Sequence, residues 1–397
     1  MDYAERTQRA TDNGLGDLLA APTKNQISFA GGLPDPQLFP QQELSLAFAT
    51  ALANHSGDQF QYSDAQGFRP LRVQLAQLLQ RDGVRATADT IAMTQGAQQA
   101  LDLIARLYIN PGDTIVVEAP TYPGAISAFD TYEPHYAGVP VQSDGMDMVA
   151  LRRILTARHV KLIYTVPDFQ NPTGTVMSLA KRRTLLALAR EFDVMIIEDA
   201  PYRWLRYDGT NLPTLSELDD GQHVIFVDSM SKILAPGLRV GWVHANQAVI
   251  NDLVALKSGA DLESSTLTLR GVSQYLHDND ITAHITALRH SYRHKRDVML
   301  QGLRANLPAA AQLSSPQGGF FIWVTLPTAV DTDALARQCK ATLALVPGSM
   351  TYPLHDHHNG IRLAFTHCSP AEITAGCARL GHAVQTALAA ATTLQAR

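Results

Sequence analysis

Short apolar runs alternate with helix-patterned stretches through the middle of the chain, and this alternation restricts the fold more than any other property of the sequence. Residues 114–117, 160–164, 194–197, 224–227 and 239–243 read as buried strands. Between the runs, Ala97, Ala100, Leu101, Ile104, Ala105 and Tyr108 keep one face of a helix apolar. A second helix spans about residues 179–192. Strands separated by helices build a mostly parallel sheet covered on both faces. Near-continuous apolar strands agree with that double burial. The expected class is α/β.

Beyond about residue 290 the texture changes. Residues 291–303 predict a long charged helix, 318–324 and 361–365 two strands, and 370–388 a closing helix. This reads as a smaller α+β domain, with the N-terminal segment packing against it. The expected division is 1–48 for that segment, 49–290 for the large domain and 291–397 for the small one. With no repeat, low-complexity tract or long linker, the boundary near 290 is expected to be a helix.

A chain of 397 residues has room for two such domains, and 46% hydrophobic with 17% charged residues fits a globular protein with a sizeable core. A net charge of −5 argues against a nucleic-acid partner, which a basic surface would serve. No apolar run approaches the roughly 20 residues of a membrane helix. The start, Met1 to Arg6, lacks the features of a signal peptide. Cys339, Cys368 and Cys377 show no C-x-x-C spacing and read as reduced thiols of a cytoplasmic protein.

The most telling run is Asp228-Ser229-Met230-Ser231-Lys232-Ile233-Leu234-Ala235-Pro236-Gly237-Leu238-Arg239. It offers an amine for a Schiff base and a cation for a phosphate, and pyridoxal phosphate needs both. Gly96-Ala97-Gln98-Gln99 opens a helix after a short apolar run. It is either an ordinary strand-to-helix turn or a phosphate site made of free backbone N–H groups. Asn171-Pro172-Thr173-Gly174 is a turn starter that also puts an amide at the C-terminal edge of the sheet, where ligands bind in open α/β proteins. Asp199, in Glu198-Asp199-Ala200-Pro201-Tyr202, is a helix cap or the partner of a protonated pyridine nitrogen. Tyr202 would then donate to the cofactor phenolate. Arg362, among apolar neighbours, is a surface charge or a two-pronged grip for a carboxylate. His355-Asp356-His357-His358 matches no zinc spacing and reads as a solvated loop, so no metal is expected. His367-Cys368 is adjacency in sequence rather than a catalytic pair.

Together these pieces resemble the fold-type I pyridoxal-phosphate-dependent aminotransferases, closest to the 2-aminoadipate, aromatic and branched-chain subgroup and to the aminotransferase-like domain of MocR-type regulators. The resemblance runs from Ile27-Ser28-Phe29-Ala30-Gly31-Gly32-Leu33-Pro34-Asp35-Pro36 to the C-terminal helix. Ser229 to Trp242 and Phe169-Gln170-Asn171-Pro172-Thr173-Gly174 carry it most specifically. It implies a mostly parallel, seven-stranded-type sheet in the large domain. It also implies transfer of an amino group between an L-amino acid and a 2-oxo acid. Lys232 would form the internal aldimine and shuttle the proton. Asp199 would pair with the pyridine nitrogen, Asn171 and Tyr202 with the phenolate oxygen, and Tyr122 would stack on the ring. Ala97, Gln98, Ser229, Ser231 and Arg239 would hold the phosphate, joined by Tyr62 from a partner subunit of a homodimer. Arg362 would bind the substrate carboxylate, with the Gly32 backbone close by.

Two positions depart from the family pattern. Gly16, followed by Asp17, stands where relatives often carry an arginine, and Asp168 where they often have Asn, Ser or His. If Asp17 and Asp168 line the pocket, they favour a basic or polar substrate side chain. Two other functions compete with transamination. One is a different reaction of a specialised amino acid on the same scaffold: oxidation or hydroxylation, elimination, or cyclisation. The other is a regulator, which would carry a basic helix-turn-helix module ahead of this domain; the 26 residues before Ile27 are not basic.

Overall fold

The structure is a computed structural model and describes residues 2–8, 16, 23, 25–53 and 57–395. Among these, fourteen strands form three sheets. β1 is Ile27–Ser28, β2 Ile91–Thr94, β3 Thr114–Ala119, β4 His135–Gln142, β5 Gly145–Met146, β6 Val160–Thr165 and β7 Met195–Asp199. β8 is Val224–Ser229, β9 Gly241–His244, β10 Gln312–Leu313, β11 Phe321–Thr325, β12 Leu343–Ala344, β13 Val346–Pro347 and β14 Gly360–Ala364.

The largest sheet has eight strands in the order β2-β9-β8-β7-β6-β3-β4-β5. Strands β4, β3, β6, β7 and β8 pair in parallel, while β9 runs antiparallel to β8 and β2. The α/β class and its mostly parallel sheet are as the sequence predicts. The two-residue β5, an antiparallel return of β4, makes the eighth strand beyond the seven expected. Successive side chains enter different cores, as the pleat requires. Ile115, Val117, Leu162, Tyr164 and Ile197 face one, and Val116, Ile163 and Ile196 the other. Burial on both faces explains why these strands read as continuous apolar runs.

The helices Ala97–Tyr108 and Leu179–Phe192 occupy the predicted spans. Two of the differences in element bounds have a clear local cause. The run 239–243 becomes β9 only from Gly241, because Arg239 closes the turn Pro236–Leu238 in the left-handed region at φ 53°. The charged helix begins at Ile281, not near 291, because Asp280 caps it by accepting from the Thr282 N–H at 2.8 Å. Such a cap contributes about 1 kcal/mol.

The second sheet has the order β10-β11-β14-β13 and places Trp323 opposite Arg362. The N-terminal segment is fastened alongside it. β1 pairs with β12, and the Phe29 carbonyl accepts from the Ala364 N–H at 2.8 Å. Lys295 meets Asp35 at 2.6 Å in a buried ion pair, and Thr366 Oγ1 donates to the Leu33 carbonyl at 2.6 Å. Among the described residues no helix is long and apolar enough to cross a membrane.

Candidate active site

Four parallel strands and two turns deliver their ends to one cavity of about 470 Å³. It lies at the C-terminal edge of the large sheet, the edge at which open α/β folds bind ligands. Gly32, Ala97, Gln98, Tyr122, Asn171, Asp199, Tyr202, Ser229, Ser231, Lys232, Arg239 and Arg362 all line it. These are the predicted residues with one exception: Tyr62 lies outside it and is 77% exposed.

Lys232 follows β8 by three residues, and its Nζ donates to the Gly32 carbonyl at 2.7 Å. A Cβ on Gly32 would come within 2.7 Å of the Phe321 ring, so glycine permits this close approach. Burial lowers the Lys232 amine to about 8, helped by the guanidiniums of Arg362 and Arg239 and opposed by Asp199. An amine shifted this far is neutral in a useful fraction near physiological pH.

Asp199 ends β7 and is buried. Its Oδ2 accepts from the Tyr164 hydroxyl at 2.7 Å, while Oδ1 has no hydrogen-bond partner. Burial raises this carboxyl to about 6, against the Tyr164 hydrogen bond and the Lys232 charge.

The helix Ala97–Tyr108 opens at Gly96, with no side chain capping its N-terminus. Gly96 has φ 78°, and a Cβ there would meet Arg239 Nη2 at 2.6 Å. The Arg239 side chain is steadied by the Gln95 and Pro236 carbonyls at 2.9 and 3.2 Å. Ser229 Oγ accepts from the Ser231 N–H at 3.0 Å. Uncapped amides, a guanidinium and two hydroxyls form an anion cradle.

Arg362, on β14, enters from the second sheet. Its Nη1 donates to Asn171 Oδ1 at 3.0 Å and its Nη2 to the Ala30 carbonyl at 2.6 Å. The guanidinium sits 4.5 Å from the Phe321 ring centroid, and Nε has no partner. Burial lowers this guanidinium to about 10. Tyr202 packs against Phe320 and Phe321, and burial raises its hydroxyl far above the ordinary value. Burial also raises the Tyr122 hydroxyl, to about 12.

Asp168 does not line the cavity. It is 2% exposed and faces away, meeting Arg182 at 2.7 Å, Arg203 at 3.3 Å and Arg206 at 3.7 Å. Phe169, at φ 56°, reverses the chain between Asp168 and Asn171. The idea that Asp168 selects a basic side chain is therefore overturned. Asp17 lies outside the described residues, and Gly16 is exposed. The histidine loop also disperses. His355 Nδ1 meets the Ser349 carbonyl, His357 stacks on Tyr352, and His358 Nδ1 meets Asp333.

Sequence reasoning missed Tyr164 and Phe321. Tyr164 looked like the last apolar residue of a strand, and only its place beside Asp199 gives it a role. Phe321 could have been found from strand alternation, since it shares a face of β11 with Trp323 opposite Arg362. Glu118 was also missed. It accepts from Thr165 Oγ1, the Val166 N–H and Gln170 Nε2, and so braces the loop that carries Asn171.

Comparison with known proteins gives the family. The family model for aminotransferase class I and II matches residues 25–380. Aromatic-amino-acid aminotransferase 1 of Thermococcus litoralis is 38% identical over 370 residues, covering 91% of this chain and 89% of the relative. The multiple substrate aminotransferase of Thermococcus profundus superposes with a TM-score of 0.91 at 36% identity, covering 97% of this chain and 98% of its own. The alpha-aminoadipate aminotransferase LysN of Thermus thermophilus, complexed with N-(5'-phosphopyridoxyl)-L-leucine, gives 0.92 at 33% identity, covering 98% of each chain. With a cavity that gathers its lysine, aspartate and two arginines from distant parts of the sequence, the chain belongs to the class I and II aminotransferases and is an enzyme that transfers amino groups.

Proposed function

We propose that this aminotransferase uses pyridoxal 5'-phosphate in the cavity around Lys232 and acts on L-amino acids with neutral, apolar or aromatic side chains, passing the amino group to a 2-oxo acid. The observation that carries the reading is the charge inventory of the cavity. Its charged lining residues are Asp199, Lys232, Arg239 and Arg362. Each has a task in cofactor or α-carboxylate binding, so no charged lining residue of the described chain is left for a substrate side chain. Leu33, Tyr122, Val166 and Phe321 supply an apolar wall instead. The name of the aromatic-amino-acid relative supports this class.

The residues present fit the cofactor. Asp199 Oδ1, buried without a partner, suits the protonated ring nitrogen. The amides of Ala97 and Gln98, with Ser229, Ser231 and Arg239, suit the phosphate. Asn171 and Tyr202 suit the phenolate oxygen, and Tyr122 suits the ring face. Bound there, pyridoxal 5'-phosphate supplies an aldehyde for amines and a protonated ring that draws electrons from a bond broken at the substrate α-carbon. Arg362 orients the substrate by its carboxylate, and the buried Nε offers a further donor. Lys232 Nζ takes the α-proton and returns it, a task suited to an amine lowered to about 8.

The same proposal includes a homodimer in which Tyr62 reaches the neighbouring phosphate, a cytoplasmic location, and the division at about residues 48 and 290. The hydrogen bond from the Ala364 N–H of the second sheet to the Phe29 carbonyl supports packing of the N-terminal segment on the small domain, and the helix Ile281–Asn306 packed on Pro370–Gln395 supports a helical boundary. The free state of Cys339, Cys368 and Cys377 supports the location.

The test is a half-reaction screen on the yellow enzyme. Phenylalanine, tyrosine and leucine are expected to bleach the cofactor absorbance; lysine, ornithine and glutamate are expected to do so far more slowly. Faster reaction with any charged amino acid would overturn the substrate class. Failure of borohydride to label Lys232 would overturn the cofactor assignment.

A further inference from the structure

Tyr164 is the penultimate residue of β6 and lies in register with Ile197 of β7, two residues short of Asp199. It is 1% exposed. Its ring is held edge-on by Phe129, with centroids 5.7 Å apart and planes at 77°. From this fixed position its hydroxyl donates to Asp199 Oδ2 at 2.7 Å. Asp199 lines the cavity, and its other oxygen, Oδ1, is buried with no partner. The terminal torsion of an aspartate is broad, and a hydrogen bond to one oxygen narrows it. Here one oxygen is tied to a neighbouring strand and the other is left for a ligand.

We propose that Tyr164 is a positioning residue of the transamination site: it claims Oδ2 of Asp199, fixes the rotation of the carboxylate and reserves Oδ1 for the cofactor ring nitrogen. The inference rests on the reading of Asp199 as that nitrogen's partner. The hydroxyl is suited to the task. Burial pushes its pKa well above the ordinary value, and the Asp199 charge adds to the push, so it remains a donor. The bond also acts on charge. Desolvation raises the Asp199 carboxyl, and the Tyr164 hydrogen bond opposes that rise. An anionic Asp199 holds a proton on the ring nitrogen; a neutral one does not.

The test reads the ring nitrogen directly, using holoenzyme loaded with pyridoxal phosphate labelled with 15N in the ring. Tyr164→Phe keeps the ring and removes the hydroxyl. It is expected to move the nitrogen resonance towards the unprotonated value and to raise the cofactor dissociation constant about tenfold, the scale of a hydrogen bond to a charged group. The kcat should fall while KM for the amino acid holds. Phe129→Leu loosens the packing that holds the ring but keeps the hydroxyl, and is expected to move the resonance less than Tyr164→Phe does; an equal shift would assign the effect to packing and overturn the role of the hydroxyl. As a second variant, 3-fluorotyrosine installed at position 164 keeps the shape and strengthens the donor, and must not move the resonance towards the unprotonated value. Asp199→Asn separates the two layers of the argument. If it shifts the resonance and Tyr164→Phe does not, the role of Tyr164 is overturned and that of Asp199 stands. If neither shifts it, the assignment of Asp199 falls.

Discussion

Arg362 Nη1 donates to Asn171 Oδ1 at 3.0 Å, and this contact joins β14 of the second sheet to the loop that leaves β6. The residue assigned to the substrate carboxylate thereby touches a residue assigned to the cofactor phenolate. Arg362→Lys keeps the charge but loses the planar fork, so it cannot serve Asn171, the Ala30 carbonyl and a carboxylate together. The expected loss in kcat/KM is roughly 10- to 100-fold, the scale of one or two charge-assisted hydrogen bonds. Steady-state kinetics with the best amino acid from the screen would check it. A loss below threefold would show that the fork is not what binds the carboxylate.

Asp168 is expected to matter for stability and not for side-chain choice. Its burial raises the carboxyl, but the guanidiniums of Arg182, Arg203 and Arg206 outweigh that and hold it below the ordinary value of 3.8. Replacing it by Asn removes the salt-bridge partner of the buried Arg182 and Arg206, while Arg203 keeps Asp82 at 2.9 Å. Breaking a buried pair from one side costs about 3–5 kcal/mol. Chemical denaturation of Asp168→Asn should show a loss of that order, with the ranking of amino acid substrates unchanged. Because the folded carboxyl is depressed, its contribution is present above pH 3.8 and fades as pH falls through the lower folded value.

The two readings of Asp168 show where sequence reasoning stops. Lys232 and Arg239 were legible because contiguous motifs carry them, and Asn171 because a turn signal follows a strand. The helix Leu179–Phe192 was legible from its apolar face. The sequence marks Asp168 only as a departure from the family pattern and leaves open whether its side chain lines the pocket. The positive φ of Phe169 turns the backbone, and Arg182 on a later helix captures the carboxylate. Tyr164 was invisible for the complementary reason. A tyrosine at the end of a buried strand is ordinary until the neighbouring strand is known, and strand order is not written locally.

Lys232 gives a pH prediction whose sign follows from burial. Its folded pKa of about 8 lies below the ordinary 10.5. Below about 8 the amine is a buried cation that costs stability; as pH rises from about 8 to 10.5 that cost disappears, because only the unfolded state still binds the proton. The same shift sets reactivity, since only the neutral amine attacks an aldehyde. The rate at which cofactor-free enzyme captures pyridoxal phosphate should therefore climb through a midpoint near 8. Stopped-flow absorbance between pH 6.5 and 10 covers about the required window. A midpoint near 10 would place the amine in a wetter, less cationic setting than the structure gives it.

Tyr62 is the predicted site residue that its own cavity does not use. It is 77% exposed, yet its loop is held in place. Ser63 donates from both N–H and Oγ to Glu263 Oε2, and Asp64 meets Arg72 at 3.1 Å. An exposed tyrosine on a braced loop suits contact with a second copy of the chain, each site borrowing one residue from its neighbour. Subunit mixing checks this. Tyr62→Phe alone should raise the cofactor dissociation constant, and Lys232→Ala alone should abolish borohydride labelling. Mixed after reversible dissociation, the two variants form hybrids in which one site has both Lys232 and Tyr62 intact. Tight, reducible cofactor binding should return to about one quarter of all sites, the statistical share for random pairing of two subunits. Affinity that stays at the level of Tyr62→Phe would mean that Tyr62 serves no neighbouring site.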